Sequence, residues 1–155
     1  MPRVEYVLEI HAPLEQVWAF YDTIDSLLAV TPRTTKVTVE DPPERMTEGA
    51  TFTLIVRQPP VYFPLRWVTI ISKREPPSLF VDEQVKGKGP FASWRHEHHF
   101  EAIDDTHTRL RDIVTYTPPL GILGRIADAL FIRHQLDAMF AYRHKVTRER
   151  LEKAK

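Results

Sequence analysis

The segment Trp94-Arg95-His96-Glu97-His98-His99-Phe100 concentrates groups able to do chemistry. On a strand, alternate residues share a face. One face then holds Trp94, His96, His98 and Phe100. The other holds Arg95, Glu97, His99 and Glu101, whose charges suit solvent. Two imidazoles about 7 Å apart by strand rise, set between two aromatics, suit general acid–base work or orientation of a ligand's polar end.

The following strand offers Leu110, Asp112, Val114 and Tyr116 on its apolar face, and Asp112 is the odd residue among them. The turn between the two strands is short, so Asp112 is expected within one or two residues of His98 across the ladder. Such a pair would raise the pKa of His98 above its ordinary value and fix the ring's tautomer; burial would push the other way. A polar network that merely satisfies buried groups is the plain alternative. His96, His98 and Asp112 are the catalytic candidates. Trp94, His96, His98, Phe100, Asp112, Tyr116 and Trp67 form the expected ligand-binding set, although Trp67 also reads as core. In Asp82-Glu83-Gln84, either Glu83 or the Asp82/Gln84 pair faces inward, according to register, because one residue's slip reverses every face. The opposing strand carries Arg95 and Glu97, so a cross-strand ion pair is the plainer role for this triplet. Arg133, His134, Asp137 and His144 on the long helix either reach the pocket or pair along the helix surface, and their i,i+3 and i,i+4 spacings make surface pairing the default. His11 and His107 fall at element ends and receive no role.

These side chains need a sheet to hold them. Residues 4–10 alternate as a strand with one buried side, with Val4, Tyr6, Leu8 and Ile10 together. Pro13 suits a first helical position, and Leu14, Val17, Trp18 and Tyr21 fall on one stripe. A second short helix is expected over 24–29, ending before Pro32. Period-two patterning then predicts strands near 35–41, 50–58, 65–75, 79–86, 93–103 and 108–116. The doublets Pro42-Pro43, Pro59-Pro60, Pro76-Pro77 and Pro118-Pro119 punctuate this region, since adjacent prolines lack two donors and cannot lie inside a central strand. Asp104-Asp105-Thr106-His107 is a turn, and Gly87-Lys88-Gly89-Pro90 is a loop that could gate a pocket. After Pro119 the period is helical. An unbroken helix is expected from near Leu120 to at least Arg143, with Leu123, Ile126, Leu130 and Phe140 on its buried face. The basic stretch from Arg143 onward reads as a solvated tail. The fold class is α+β: a curved seven-stranded antiparallel sheet around a long C-terminal helix, with a ligand cavity between them.

Composition narrows the function classes. The chain has 155 residues, enough for a single domain over 1–155 with a substantial core. Lys+Arg and Asp+Glu are both 21, so no net field gathers nucleic acid. Cysteine is absent, which excludes disulfides, thiolate nucleophiles and Cys-based metal sites. No apolar run approaches the length of a membrane span, and the N-terminus lacks a signal-peptide core, so a cytoplasmic location is expected. Neither Gly-x-Gly-x-x-Gly, a P-loop, Gly-x-Ser-x-Gly nor His-Glu-x-x-His occurs. No cofactor is expected, and the expected partner is a small hydrophobic molecule, with self-association left open.

The element order and the opening Ile10-His11-Ala12-Pro13-Leu14-Glu15-Gln16-Val17-Trp18 resemble the START-like, or SRPBCC, superfamily with its helix-grip fold. Phe80-Val81-Asp82-Glu83-Gln84, the stretch from Phe91 to Phe100, Thr108-Arg109-Leu110-Arg111-Asp112, and Pro118-Pro119-Leu120-Gly121 running into Phe140-Ala141-Tyr142-Arg143-His144 resemble a bacterial branch labelled cyclase/dehydrase. The resemblance implies binding of a small, mostly hydrophobic ligand. The alternative it implies is a polyketide cyclase/aromatase-like or dehydratase-like enzyme that moves protons with His96, His98 or Asp112. The superfamily also includes Rieske oxygenase catalytic domains, so a metal on His96, His98 and Asp112 comes into view. His-x-His on one strand is a weak metal signal alone, and no metal is assigned to that set.

Overall fold

A computed structural model describes residues 2–59 and 62–152. β1 (Arg3–Ile10) leads into α1 (Leu14–Tyr21) and α2 (Ile24–Ala29). Pro13 sits one residue before α1, in an extended conformation, rather than within its first turn. Glu15 lies in the first turn and complements the helix's positive end. Thr23 caps α2 by accepting from the Ser26 amide. Then come β2 (Lys36–Glu40), β3 (Thr51–Arg57), β4 (Leu65–Glu75), β5 (Leu79–Gln84), β6 (Ser93–Ala102) and β7 (Thr108–Thr117). The seven strands form one sheet in the order β1-β7-β6-β5-β4-β3-β2, and every pairing is antiparallel. A register shift between Ile71 and Lys73 marks a bulge in β4, a device that bends a strand. The Asp104 carboxylate closes the β6–β7 turn by accepting from the Thr106 amide at 2.8 Å.

The C-terminal helical run comprises α3 (Gly121–Ala127), a π-helical turn (Asp128–Ile132) and α4 (Arg133–Glu152). Ala127, Asp128 and Arg133 all keep right-handed helical dihedrals, so the run changes winding without breaking. Its rotation differs from the sequence expectation. Leu123, Ile126 and Leu130 are exposed, together with Ile122 and Phe131. Gly124, Asp128, Leu136 and Phe140 are the buried residues instead. Gly124 packs so tightly on the preceding loop that a Cβ there would lie 1.7 Å from the Pro119 carbonyl oxygen. The buried Tyr116 hydroxyl donates to the Asp128 carboxylate. These two contacts orient the start of the run, and the extra residue of the π-helical turn re-phases α4 behind it. The basic end is not wholly solvated either, since Arg143, Val146 and Thr147 are buried. Among the described residues, no helix is long and apolar enough to cross a membrane.

Candidate functional site

The β6 pattern places Trp94, His96, His98 and Phe100 in the buried row, with Arg95, Glu97 and His99 on the wetter face. Register brings two neighbouring strands to the same row. Asp112 of β7 lies directly across from His98, and Asp82 of β5 directly across from His96. Glu83 takes the other face and meets Arg95 at 3.3 Å, the cross-strand ion pair expected there. Asp82 is therefore the inward carboxylate that the sequence left open. Gln84, also inward, donates to the Phe91 carbonyl and accepts from the Phe91 amide, which pins the 85–92 loop to the sheet.

The hydrogen bonds run diagonally. His98 Nε2 lies 2.6 Å from Asp82 Oδ2, while its Nδ1 is 3.5 Å from Asp112 Oδ1. His96 Nε2 is 2.8 Å from Asp112 Oδ1. The expected His98–Asp112 pair is thus exchanged: His98 takes Asp82, and Asp112 takes His96. The rings lean together, with centroids 3.6 Å apart rather than the roughly 7 Å spacing of their backbones. Asp112 has a second partner, His144 Nε2 at 3.2 Å, delivered by α4. Tyr6 donates to Asp137 of the same helix at 2.6 Å. His144 and Asp137 therefore reach the sheet instead of pairing along the helix surface. Sequence offered one signal for this: His144 and Arg143 follow Phe140 at helical spacing and so share its buried side.

Charge is distributed unevenly in this group. Burial pushes the Asp112 carboxyl up, but hydrogen bonds from His144 and His96 and the nearby Arg143 charge outweigh it, leaving the group well below the usual carboxylate range. Asp82 is lowered in the same way, burial being overcome by the His98 hydrogen bond and the neighbouring His96. His98 goes the other way from the sequence expectation. Burial and the adjacent His96 press its pKa down to about 4, against the smaller opposing pull of Asp82. His98 is a neutral ring at neutral pH, between ionised carboxylates. The guanidinium of Arg143 lies over the rings of Tyr21 and Phe140, and its buried Nε has no hydrogen-bond partner among the described residues.

Aromatic residues flank the polar group at both ends. Trp18 of α1 meets Phe80 and Phe100 edge-on, and Phe80 stacks on His98 at 3.9 Å. At the other end Trp67, Phe91, Trp94 and Tyr116 form a second wall, with Trp67 and Phe91 only partly buried. The helix lies close on the sheet between these walls. Phe140 stacks on Tyr6 at 4.4 Å and meets His96 edge-on at 5.3 Å. The cleft beside Tyr21, His98, Phe100 and Asp112 has no room for a water molecule. Open space lies instead in a groove of about 620 Å³ between Leu8 of β1 and Ala141, His144, Lys145 and Arg148 of α4. His144 lines that groove and bonds Asp112, so the groove connects to the polar group through one side chain.

A family model described as polyketide cyclase / dehydrase and lipid transport matches residues 10–140. The chain belongs to that family. Its fold is the helix-grip fold of the START-like/SRPBCC superfamily, as the sequence resemblance implied. A crystal structure of a protein from Thermus thermophilus aligns over 99% of both chains at 18% identity and a TM-score of 0.74. Norcoclaurine synthase from Thalictrum flavum, in complex with dopamine and hydroxybenzaldehyde, aligns over 96% of this chain and 87% of its own at 15% identity and a TM-score of 0.67. Protein Ms6760 from Mycobacterium smegmatis aligns over 99% and 92% at 16% identity and a TM-score of 0.71. No curated protein sequence matches the chain.

Proposed function

We propose that the chain binds a small, mostly hydrophobic molecule that carries one polar end. The observation that carries this reading is a single row of side chains on the sheet's inner face. Trp94 and Phe100 bracket His96 and His98, with Asp82 and Asp112 on the neighbouring strands and Trp67 and Tyr116 extending the apolar surface. Such a row has the composition of a small-molecule site, apolar over most of its length with oriented donors and acceptors at its middle, and here the helix with Phe140 covers it. The family description, with its cyclase, dehydrase and lipid-transport members, supports the same chemical class. A structure of norcoclaurine synthase, which has a similar fold, holds the small aromatic compounds dopamine and hydroxybenzaldehyde, and this supports the reading. The test is titration of the protein with an apolar fluorophore, alongside mass spectrometry of small molecules that co-purify under native conditions. Saturable binding that Trp94→Asp or Phe100→Asp abolishes is expected, because either change puts an unpaired charge among apolar walls. Undiminished binding by both folded variants would place the ligand elsewhere.

A cyclase- or dehydratase-like activity is the second reading, and the neutral His98 held by an ionised Asp82 favours it. A neutral imidazole with its far nitrogen fixed by a carboxylate is a competent proton acceptor. Under this reading His98→Gln keeps the co-purifying ligand but stops its conversion, whereas a pure binder leaves the ligand chemically unchanged in wild type and variant alike.

A further inference from the structure

We propose that Asp82, His96 and His98 form a binding site for a divalent first-row metal ion, Zn²⁺ being the simplest occupant, with Asp112 as the outer carboxylate that orients the His96 imidazole. One donor atom from each of the three residues lies within 4.8 Å of the other two. Donors about 2.0–2.1 Å from a common tetrahedral centre stand about 3.3–3.5 Å apart. The observed separations bracket that value: Asp82 Oδ2 is 2.6 Å from His98 Nε2 and 3.8 Å from His96 Nδ1. Small rotations of three side chains would bring them onto one centre.

The outer surroundings match what a metal site requires. A ligating histidine usually gives its other ring nitrogen to a carboxylate or carbonyl, which fixes ring and tautomer. Here His96 has its remaining Nε2 at 2.8 Å from Asp112 Oδ1, and His98 has its remaining Nδ1 at 3.5 Å from the same oxygen. Asp112 is itself held by His144. The ligand residues come from two paired central strands, with Asp82 directly across from His96, so no loop has to order first. Two nitrogens and one carboxylate oxygen favour Zn²⁺ or a neighbouring transition metal over Mg²⁺ or Ca²⁺. Three protein ligands leave a position open, the arrangement of catalytic rather than structural zinc sites. Asp82 is the most exposed of the three ligands, its side chain 20% exposed against 7% and 5% for His96 and His98. This proposal does not depend on the ligand-binding reading.

The experiment uses the full chain, stripped with chelator and titrated with Zn²⁺ by calorimetry and with Co²⁺ by visible absorption. One ion per chain with micromolar or tighter affinity is expected, with cobalt bands of a four-coordinate N/O site. Asp82→Asn and His98→Gln should each weaken binding at least 100-fold, and Asp112→Asn about 10–100-fold. His107→Gln, remote from the cluster on the β6–β7 turn, should leave it unchanged. Should the inner variants fold poorly, NMR of the wild-type chain still decides the matter. Zn²⁺ must shift the His96 and His98 ring signals and leave those of His107 in place. No binding at 100 μM Zn²⁺, full affinity in folded Asp82→Asn, or unmoved His96 and His98 signals would each overturn the site.

Discussion

Burial keeps His98 neutral well into the acid range, because moving an imidazolium out of water costs more than one hydrogen bond to Asp82 returns. The linked stability follows in sign. The unfolded chain protonates this ring near 6.5 and the folded chain near 4, so the unfolded state binds the extra proton between those values. Stability from this group is complete above the upper value and lost as pH falls toward the lower, on the order of 3 kcal/mol in all. Asp82 and Asp112, with depressed pKa values, contribute in the same direction at lower pH, their share being lost as pH falls through their folded values. Denaturant unfolding between pH 7 and 4 should show this slope, and His98→Gln should flatten it. Ring-proton NMR should place His98 near pH 4 in the wild type, lower still in Asp82→Asn, and nearly unmoved in Asp112→Asn. The inward row of β6 was legible because period two survives over Trp94–Phe100. The pairing was not. An imidazole reaches diagonally as easily as straight across, and nothing in the sequence orders Asp82 and Asp112 as competing acceptors for His96 and His98. Asp82 itself stayed open because apolar Phe80 and Val81 stand side by side just before it, both buried, so period two alone does not choose a face.

At the scale of elements, two glycines hold the pieces that border the row. A Cβ on Gly89 would lie 2.1 Å from Gln84 Oε1, so glycine there leaves room for the side chain that clamps Phe91. Gln84→Ala should release the 85–92 loop, seen as faster amide hydrogen exchange there with the other strands still protected. Uniform protection would mean that the backbone bond from the Val68 amide to the Lys88 carbonyl suffices. Gly124 makes a sharper case. Alanine is the better helix former by about 1 kcal/mol, so propensity alone predicts that Gly124→Ala stabilises. The Pro119 carbonyl blocks that Cβ, and overpacking of this kind costs about 1–3 kcal/mol. A lowered melting temperature is expected, and a raised one would show that α3 can lift off its loop freely. Tyr116→Phe should likewise cost about 1–3 kcal/mol by leaving buried Asp128 without its donor, against a smaller loss for Tyr6→Phe, whose partner Asp137 is exposed. The strands were readable because proline doublets punctuate them. The helix's rotation was not, since a π-helical turn shifts the 3.6-residue phase and a close approach at glycine leaves no hydrophobic mark.

For the whole molecule, the question is whether the helix and sheet enclose a site or merely pack. Phe140 is wholly buried at the centre of that contact, stacked on Tyr6, edge-on to His96 and beneath the Arg143 guanidinium. Its ring occupies the place where an apolar ligand would touch both the row on the sheet and the helix above it. Truncating a buried phenylalanine costs about 3–5 kcal/mol, the larger values arising when the surroundings cannot collapse into the gap. In Phe140→Ala the helix is still held down by Tyr116–Asp128 and Tyr6–Asp137 on one side and His144–Asp112 on the other. Collapse should therefore be incomplete, leaving an apolar space beside His96. A loss at the upper end of that range is expected, together with recovery of part of it on adding a ring-sized solute such as phenol, whose hydroxyl can meet the imidazole. Calorimetric melts with and without the solute read both effects. A loss near the lower end with no response to phenol would mean that the helix settles onto the sheet. The ligand would then have to be received at the partly buried Trp67–Phe91 wall or in the groove beside His144.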